Sequence, residues 1–129
     1  MTAPSTEQQK VAVIGASQNR RKFGNKCVRA YRQASWKVYP VNPYAEQIEG
    51  IPVFPVLAAC PEPVDRICLY LPPEKTRDLL PQLPRGVEIF FNPGSADADV
   101  LTEARRLDLD VHDGRAIVAI GLSPSQFGA

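Results

Sequence analysis

With 129 residues the chain has room for one domain and too few for two of ordinary size. Fifteen Lys and Arg against fourteen Asp and Glu leave a net charge of +1, so no global field draws it to nucleic acid or to a membrane surface. Any attraction for an anion must be local. The apolar fraction of 44% suits a soluble core, and no run approaches transmembrane length. Cys27, Cys60 and Cys68 lack metal-ligand spacing and lie in or beside apolar stretches, as buried reduced thiols do. Met1 to Gln9 is polar, without the apolar centre of a secretion signal, so the expected setting is reducing and cytoplasmic.

Along the chain, Val11-Ala12-Val13-Ile14 is an unbroken apolar run ending at Gly15, the pattern of a parallel strand covered on both faces. Phe23 to Ser35 places Phe23, Cys27, Ala30, Tyr31 and Ala34 at helical spacing, with Lys26, Arg29 and Arg32 on other faces. Trp36 to Val41 is a second strand, closed by Asn42-Pro43, and Ile51 to Leu57 supplies a short additional one. Val64 to Leu71 is a long strand ended by Pro72-Pro73, a pair suited to the first turn of a helix whose buried stripe is Leu79, Leu80 and Leu83. Val87 to Phe91 is the next strand, then a turn at Asn92-Pro93-Gly94. Asp97 to Leu107 carries Val100, Leu101, Ala104 and Leu107 on one helical face. Leu109 to Val111 is a last strand, which Ala116 to Ile120 extends or follows. Strands alternating with helices predict an α/β fold: a three-layer Rossmann-like domain with a mostly parallel sheet over residues 10–122. Residues 1–9 are expected to be a flexible N-terminus and 123–129 a loose tail.

In such sheets ligands gather at the carboxyl ends of the strands, beside the point where strand order reverses. The turn after the first strand is the richest in chemistry. Gly15 and Ala16 allow a ligand close to the backbone, Ser17 adds a hydroxyl, and a helix N-terminus follows with free N–H groups for a phosphate. Arg20, Arg21, Lys22, Lys26 and Arg29 place five cations within ten residues. A solvated basic loop would show the same charges, but its position at the first strand-to-helix turn favours phosphate binding. The next glycine after Gly15 is Gly24, so G-x-G-x-x-G is absent. The second strand ends Tyr39-Pro40-Val41-Asn42, without the acidic residue that holds the ribose hydroxyls of NAD, and Glu46 and Glu49 fall in a loop where they are expected to be solvated. A nucleotide whose ribose is itself phosphorylated fits better, as in coenzyme A. NADP would call for a basic residue just after that strand, and Asn42-Pro43-Tyr44 has none.

Val11 to Ser17, Lys22-Phe23-Gly24-Asn25-Lys26 and Tyr39-Pro40-Val41-Asn42-Pro43, followed by Ile48 to Pro55 and Pro61 to Asp65, together resemble the CoA-binding domain family. That family includes the first domain of succinate–CoA ligase α subunits and of ADP-forming acyl-CoA synthetases, and small stand-alone proteins. The resemblance runs from about Lys10 to Ile120. It implies that Ser17, Arg20, Lys22, Phe23, Gly24 and Asn25, following Gly15 and Ala16, form the loop around the CoA phosphates. It implies further that Val41, Asn42 and Pro43 flank the nucleotide and that Leu71, Pro72 and Pro73 lie against the ligand as an apolar wall. Two stretches depart from the family pattern: Asn92-Pro93-Gly94-Ser95, where relatives often carry Glu or Gln before Gly, and His112-Asp113-Gly114-Arg115, where a Cys-containing turn is usual.

Catalytic chemistry has little to stand on. His112 is the chain's single histidine, and beside Asp113 it is expected to be a surface hydrogen-bonded pair. No catalytic residue and no metal site is assigned. The expected function is a non-catalytic CoA- or acyl-CoA-binding module acting as carrier, sensor or regulatory partner, with a protein partner or self-association possible and no nucleic acid or membrane partner. The alternatives are an NAD(P)-linked enzyme domain and an interaction subunit that keeps the fold without the ligand.

Overall fold

The computed structural model describes residues 8–129. Five parallel strands form one sheet in the order β2-β1-β5-β6-β7: β1 (Lys10–Ile14), β2 (Lys37–Val41), β5 (Arg66–Leu69), β6 (Glu88–Phe91) and β7 (Asp110–Asp113). β3 (Gln47–Ile48) and β4 (Ile51–Pro52) make a small antiparallel hairpin between β2 and β5 in sequence. The short strand expected over Ile51 to Leu57 is therefore divided. Its first residues close that hairpin, Phe54 bridges to Val41 in parallel, and Leu57–Ala59 is a 3-10 turn.

Alternation along β1 sets the layers. Val11 and Val13 face one core with Cys27, Val28 and Tyr31 of α1 (Phe23–Gln33), whereas Ala12 and Ile14 face the other. On that second side lie Thr76 of α2 (Pro73–Leu79), Leu80 and Leu83, and Val100 and Ala104 of α3 (Ala98–Arg106). Helices thus cover both faces of an all-parallel sheet, the arrangement that its unbroken apolar strands require. No helix among the described residues is long and apolar enough to cross a membrane.

Element ends follow local chemistry. α1 stops at Gln33 because Ser35 takes a left-handed φ of 68°, two residues short of the expected run. α2 passes into a 3-10 turn at Leu80–Gln82, where Pro81 has no N–H to continue the helix. Its buried stripe is Thr76, Leu80 and Leu83, while Leu79, expected there, is half-buried. Asp97 caps α3 by accepting from the Val100 amide at 2.8 Å. Ala116 to Ile120 adds no strand. It turns through a 3-10 segment at Val118–Ile120.

The expected flexible N-terminus lies outside the described residues as far as residue 7. Gln8 and Gln9 are tied to the β2 edge, Gln8 Nε2 donating to the Ser35 carbonyl and the Gln9 carbonyl accepting from the Lys37 amide. The tail over 123–129 is not loose. Ser123 and Gln126 form a capping box, Phe127 is buried against the α1 side of the sheet, and Arg29 donates to the Gly128 carbonyl at 2.7 Å. One buried aromatic anchors the segment, which polar composition alone conceals.

Candidate functional site

β1 lies between β2 and β5, so strand order reverses beside it and a crevice opens over the carboxyl ends of β1 and β5. A cavity of about 1070 Å³ occupies that place, walled by the segments that follow β2, β1, β5 and β6. Two glycines bring its floor together. Gly15 has φ +89° and a Cβ there would stand 2.6 Å from the Tyr70 carbonyl oxygen, while a Cβ on Gly24 would stand 2.4 Å from the Gly15 oxygen. The start of α1, the loop after β1 and the end of β5 are thus in backbone contact, which a side chain would prevent.

Side-chain amides lock the loop from behind. Asn42 donates to the Ala16 carbonyl at 2.8 Å and accepts from the Tyr44 and Ala45 amides, so the end of β2 is tied to the loop after β1. Asn25, fully buried, donates to the Ser17 carbonyl at 2.9 Å and accepts from Arg29 Nε at 2.7 Å. Ser17 Oγ accepts from the Asn19 amide and Asn19 Oδ1 from the Arg21 amide. Lys22, at the N-cap of α1, makes no side-chain cap, and the first turn holds no acidic residue. The leading N–H groups of the helix are those that an anion would satisfy.

Of the residues expected at the site, the β1–α1 turn contributes Gly15, Ala16, Ser17, Lys22, Phe23 and Gly24 to the cavity wall. The β2 end contributes Val41, Asn42 and Pro43, and the turn after β5 contributes Leu71, Pro72 and Pro73. Arg20 and Asn25 stand outside it. Arg20 pairs with Glu49 at 3.4 Å, and its carbonyl accepts from Arg29 at 2.7 Å. Glu49, expected to be solvated, also accepts from Asn25 Nδ2 at 3.2 Å, so this carboxylate closes a network behind the loop. Arg21, next in sequence, lines the cavity. Among the described residues, the side chains of Arg21 and Lys22 have no ion-pair or hydrogen-bond partner.

Other wall residues went unassigned from sequence. Lys75, Asp78, Leu79 and Gln82 present one face of α2 and the turn after it, at the i, i+3, i+4, i+7 spacing of a helical stripe. That spacing is visible in the sequence, where Leu79 reads as a core residue. Tyr44, Val56 and Leu57 line the β2 side, and Pro93 and Ser95 the β6 side. Tyr70 lies at the floor. Its burial, with the Cys27 thiol beside it, pushes the phenol's pKa well up, so it stays protonated.

His112 is not among the residues that line the cavity. It stacks on Phe90 with ring centroids 4.8 Å apart, and Nε2 approaches Asp110 Oδ1 at 3.0 Å without hydrogen-bond geometry. The expected pairing with Asp113 is replaced because side chains two apart on a strand share a face and neighbours do not. Cys27 and Cys68 are buried and Cys60 partly so, all three free. No cluster of potential metal ligands occurs among the described residues.

One side chain ties the first of the two stretches that depart from the family pattern to the residue that follows the second. Asn92 is buried, donates from Nδ2 to the Leu69 carbonyl at 3.1 Å and accepts at Oδ1 from the Ala116 amide at 3.0 Å. It fastens the segment after Gly114 to the ends of β5 and β6, beside the cavity.

Comparisons with known proteins agree with this architecture. Over 62 residues, 48% of the chain, it is 42% identical to an ADP-forming acetate–CoA ligase I of Archaeoglobus fulgidus, of which this stretch covers only 9%. A conserved hypothetical protein from Pyrococcus furiosus superposes with a TM-score of 0.77 at 25% identity, covering 86% of this chain and 97% of that one. The dinucleotide-forming acetyl-coenzyme A synthetase 1 of Ca. Korarchaeum cryptofilum superposes with a TM-score of 0.65 at 23% identity, over 82% of this chain and 26% of the synthetase. Residues 9–121 match the CoA binding domain, nearly the whole sequence, and the chain belongs to that family.

Proposed function

We propose that this chain binds coenzyme A or an acyl-CoA in the switch-point cleft and performs no chemistry of its own there, serving as a carrier or regulatory module. The observation that carries the reading is the pairing of an uncapped α1 start with Arg21 and Lys22, cations without a partner among the described residues, on one wall of the cleft. An anion placed there satisfies both the helix amides and the side chains. Gly15, Ala16, Ser17, Lys22, Phe23 and Gly24 would cradle the phosphates. Arg20 and Asn25 would act from behind, holding the loop in shape.

The β2 side supports coenzyme A over NAD. Val41, Asn42, Pro43 and Tyr44 wall it, and among the described cleft residues Asp78, across on α2, is the one carboxylate. A ribose diol finds no carboxylate among the described residues at the β2 end, and a phosphorylated ribose meets no negative charge there. Leu71, Pro72 and Pro73 offer the flat apolar surface along which a pantetheine arm would lie. The absence of chemistry rests on the position of the single histidine, packed on Phe90 outside the cleft, and on Tyr70, held in its neutral form. Isothermal calorimetry tests the ligand directly. Coenzyme A is expected to bind at least tenfold more tightly than NAD, about 1.4 kcal/mol. Equal affinities, or tighter NAD, would overturn the assignment.

A further inference from the structure

A second, smaller cavity of about 100 Å³ opens beside the main cleft and shares Phe23, Tyr70 and Pro93 with it. Ile117 and Pro124, from the C-terminal segment, complete its apolar lining, with Asn92 behind and the exposed Arg115 at its edge. The Asn92 side chain makes hydrogen bonds from both ends of its amide, so it asks nothing of an occupant. Tyr70 is protonated and Ile117 is buried. The niche exists because of two features already described, the Asn92 fastening and the docked C-terminal segment, whose Phe127 is buried beside Arg29.

Position gives the niche a meaning. The strand order runs β2-β1-β5-β6, and the nucleotide's ribose is assigned to the β2 end of the cleft and its phosphates to the turn after β1. The arm of the ligand then passes Leu71 and Pro72 after β5 and reaches Pro93 after β6, where the niche begins. We propose that the niche formed by Phe23, Tyr70, Pro93, Ile117 and Pro124 receives the acyl chain of a short-chain acyl-CoA, an apolar tail of about two to four carbons. Its size sets the limit. At roughly 30 Å³ per water-sized group, about 100 Å³ holds three or four non-hydrogen atoms. Its lining sets the chemistry, since satisfied amides and apolar rings favour hydrocarbon over a polar or charged tail. The inference rests on the proposal that coenzyme A occupies the main cleft, and it selects which thioester the protein carries.

The test is a calorimetric series on the intact chain with free CoA, acetyl-, propionyl-, butyryl-, hexanoyl- and succinyl-CoA. Failure of every member, free CoA included, would overturn the cleft assignment itself. If CoA binds, the niche predicts affinity rising about fourfold per methylene from acetyl to butyryl, and hexanoyl-CoA binding more weakly than butyryl-CoA. A flat series would overturn the acyl niche alone, as would a rise that continues beyond butyryl. Succinyl-CoA bound more tightly than butyryl-CoA would also overturn it and assign the site to a carboxylate held by Arg115. In Pro124→Trp, which fills the niche from a half-buried position, butyryl-CoA is expected to lose its advantage over acetyl-CoA. Ile117→Ala provides the opposite change, moving the preferred chain toward hexanoyl. Persistence of the butyryl preference in both variants contradicts the proposal.

Discussion

The amino and carboxyl ends of the sheet handle charge in opposite ways. At the amino ends of β2, β1, β5 and β6 the formal charges in the row are paired. Lys10 and Lys37, opposite each other on β1 and β2, share Glu62 at 3.5 and 2.9 Å. Arg66 on β5 lies across from Glu88 on β6 and bonds it through Nε and Nη2, at 3.1 and 2.8 Å. Its guanidinium stacks between Trp36 and Phe90 and donates to the Tyr31 hydroxyl at 3.2 Å. At the carboxyl ends, Arg21 and Lys22 stand at a cleft with no protein partner among the described residues, above an uncapped helix start. Paired charge at one end belongs to the fold. Unpaired charge at the other is available to a ligand.

The largest expected effect comes from breaking the close backbone approach beneath the cleft. Gly24→Ala places a Cβ 2.4 Å from the Gly15 carbonyl oxygen, a contact with backbone that no rotamer relieves. Stability in urea is expected to fall by about 3 kcal/mol or more, with CoA binding lost; an unchanged midpoint would show that the loop repacks freely.

A matched pair of charge changes separates the two ends. Arg66→Met leaves Glu88 and the Tyr31 hydroxyl short of a donor, and is expected to cost about 2 kcal/mol of stability, reduced from the fully buried case because Glu88 is partly exposed. Affinity for CoA should not move. Lys22→Glu should do the reverse, leaving stability within about 0.5 kcal/mol while weakening CoA at least tenfold, less so in high salt. If Lys22→Glu binds normally, the loop is a solvated basic face.

The smallest effect is a pH dependence at the amino end. Hydrogen bonds from Tyr39 and Lys37 lower the Glu62 carboxyl to about 2 from an ordinary 4.5. A carboxyl depressed on folding contributes stability that is complete above the unfolded value and is lost as pH falls from about 4.5 toward 2. Glu62→Gln should flatten that part of the acid unfolding profile. A wild-type profile already flat there would remove the pairing from the account.

Much of this contrast was legible in the sequence, for reasons that differ by residue. The run Val11 to Ile14 announced a strand buried on both faces, and Gly15 the turn after it, because period and turn chemistry are local. Local chemistry also marks the helix start at Pro72-Pro73, whereas the part that Leu71, Pro72 and Pro73 play as a wall is legible only through the family resemblance. Arg20 and Arg21 were indistinguishable as sequence. Only the turn of the loop, fixed by Asn19 and by Glu49 some thirty residues on, sends one behind the loop and the other to the cleft. Glu49 itself carried no local signal of its pairing. Phe127, alone in a polar segment, has no periodic neighbours, so its burial and the small niche that depends on the C-terminal segment emerge only from tertiary packing.

Thermal unfolding with three ligands tests most directly whether the unpaired end of the sheet receives the phosphates of coenzyme A, as proposed. A ligand that binds only the folded chain at a hundredfold excess over Kd adds about 2.7 kcal/mol, which for a domain of this size raises Tm by on the order of 10 °C. Saturating CoA should give that shift, dephospho-CoA a smaller one, and pantetheine, which brings no phosphate to the start of α1, almost none. A Tm unmoved by millimolar CoA, or moved equally by pantetheine, would contradict the account.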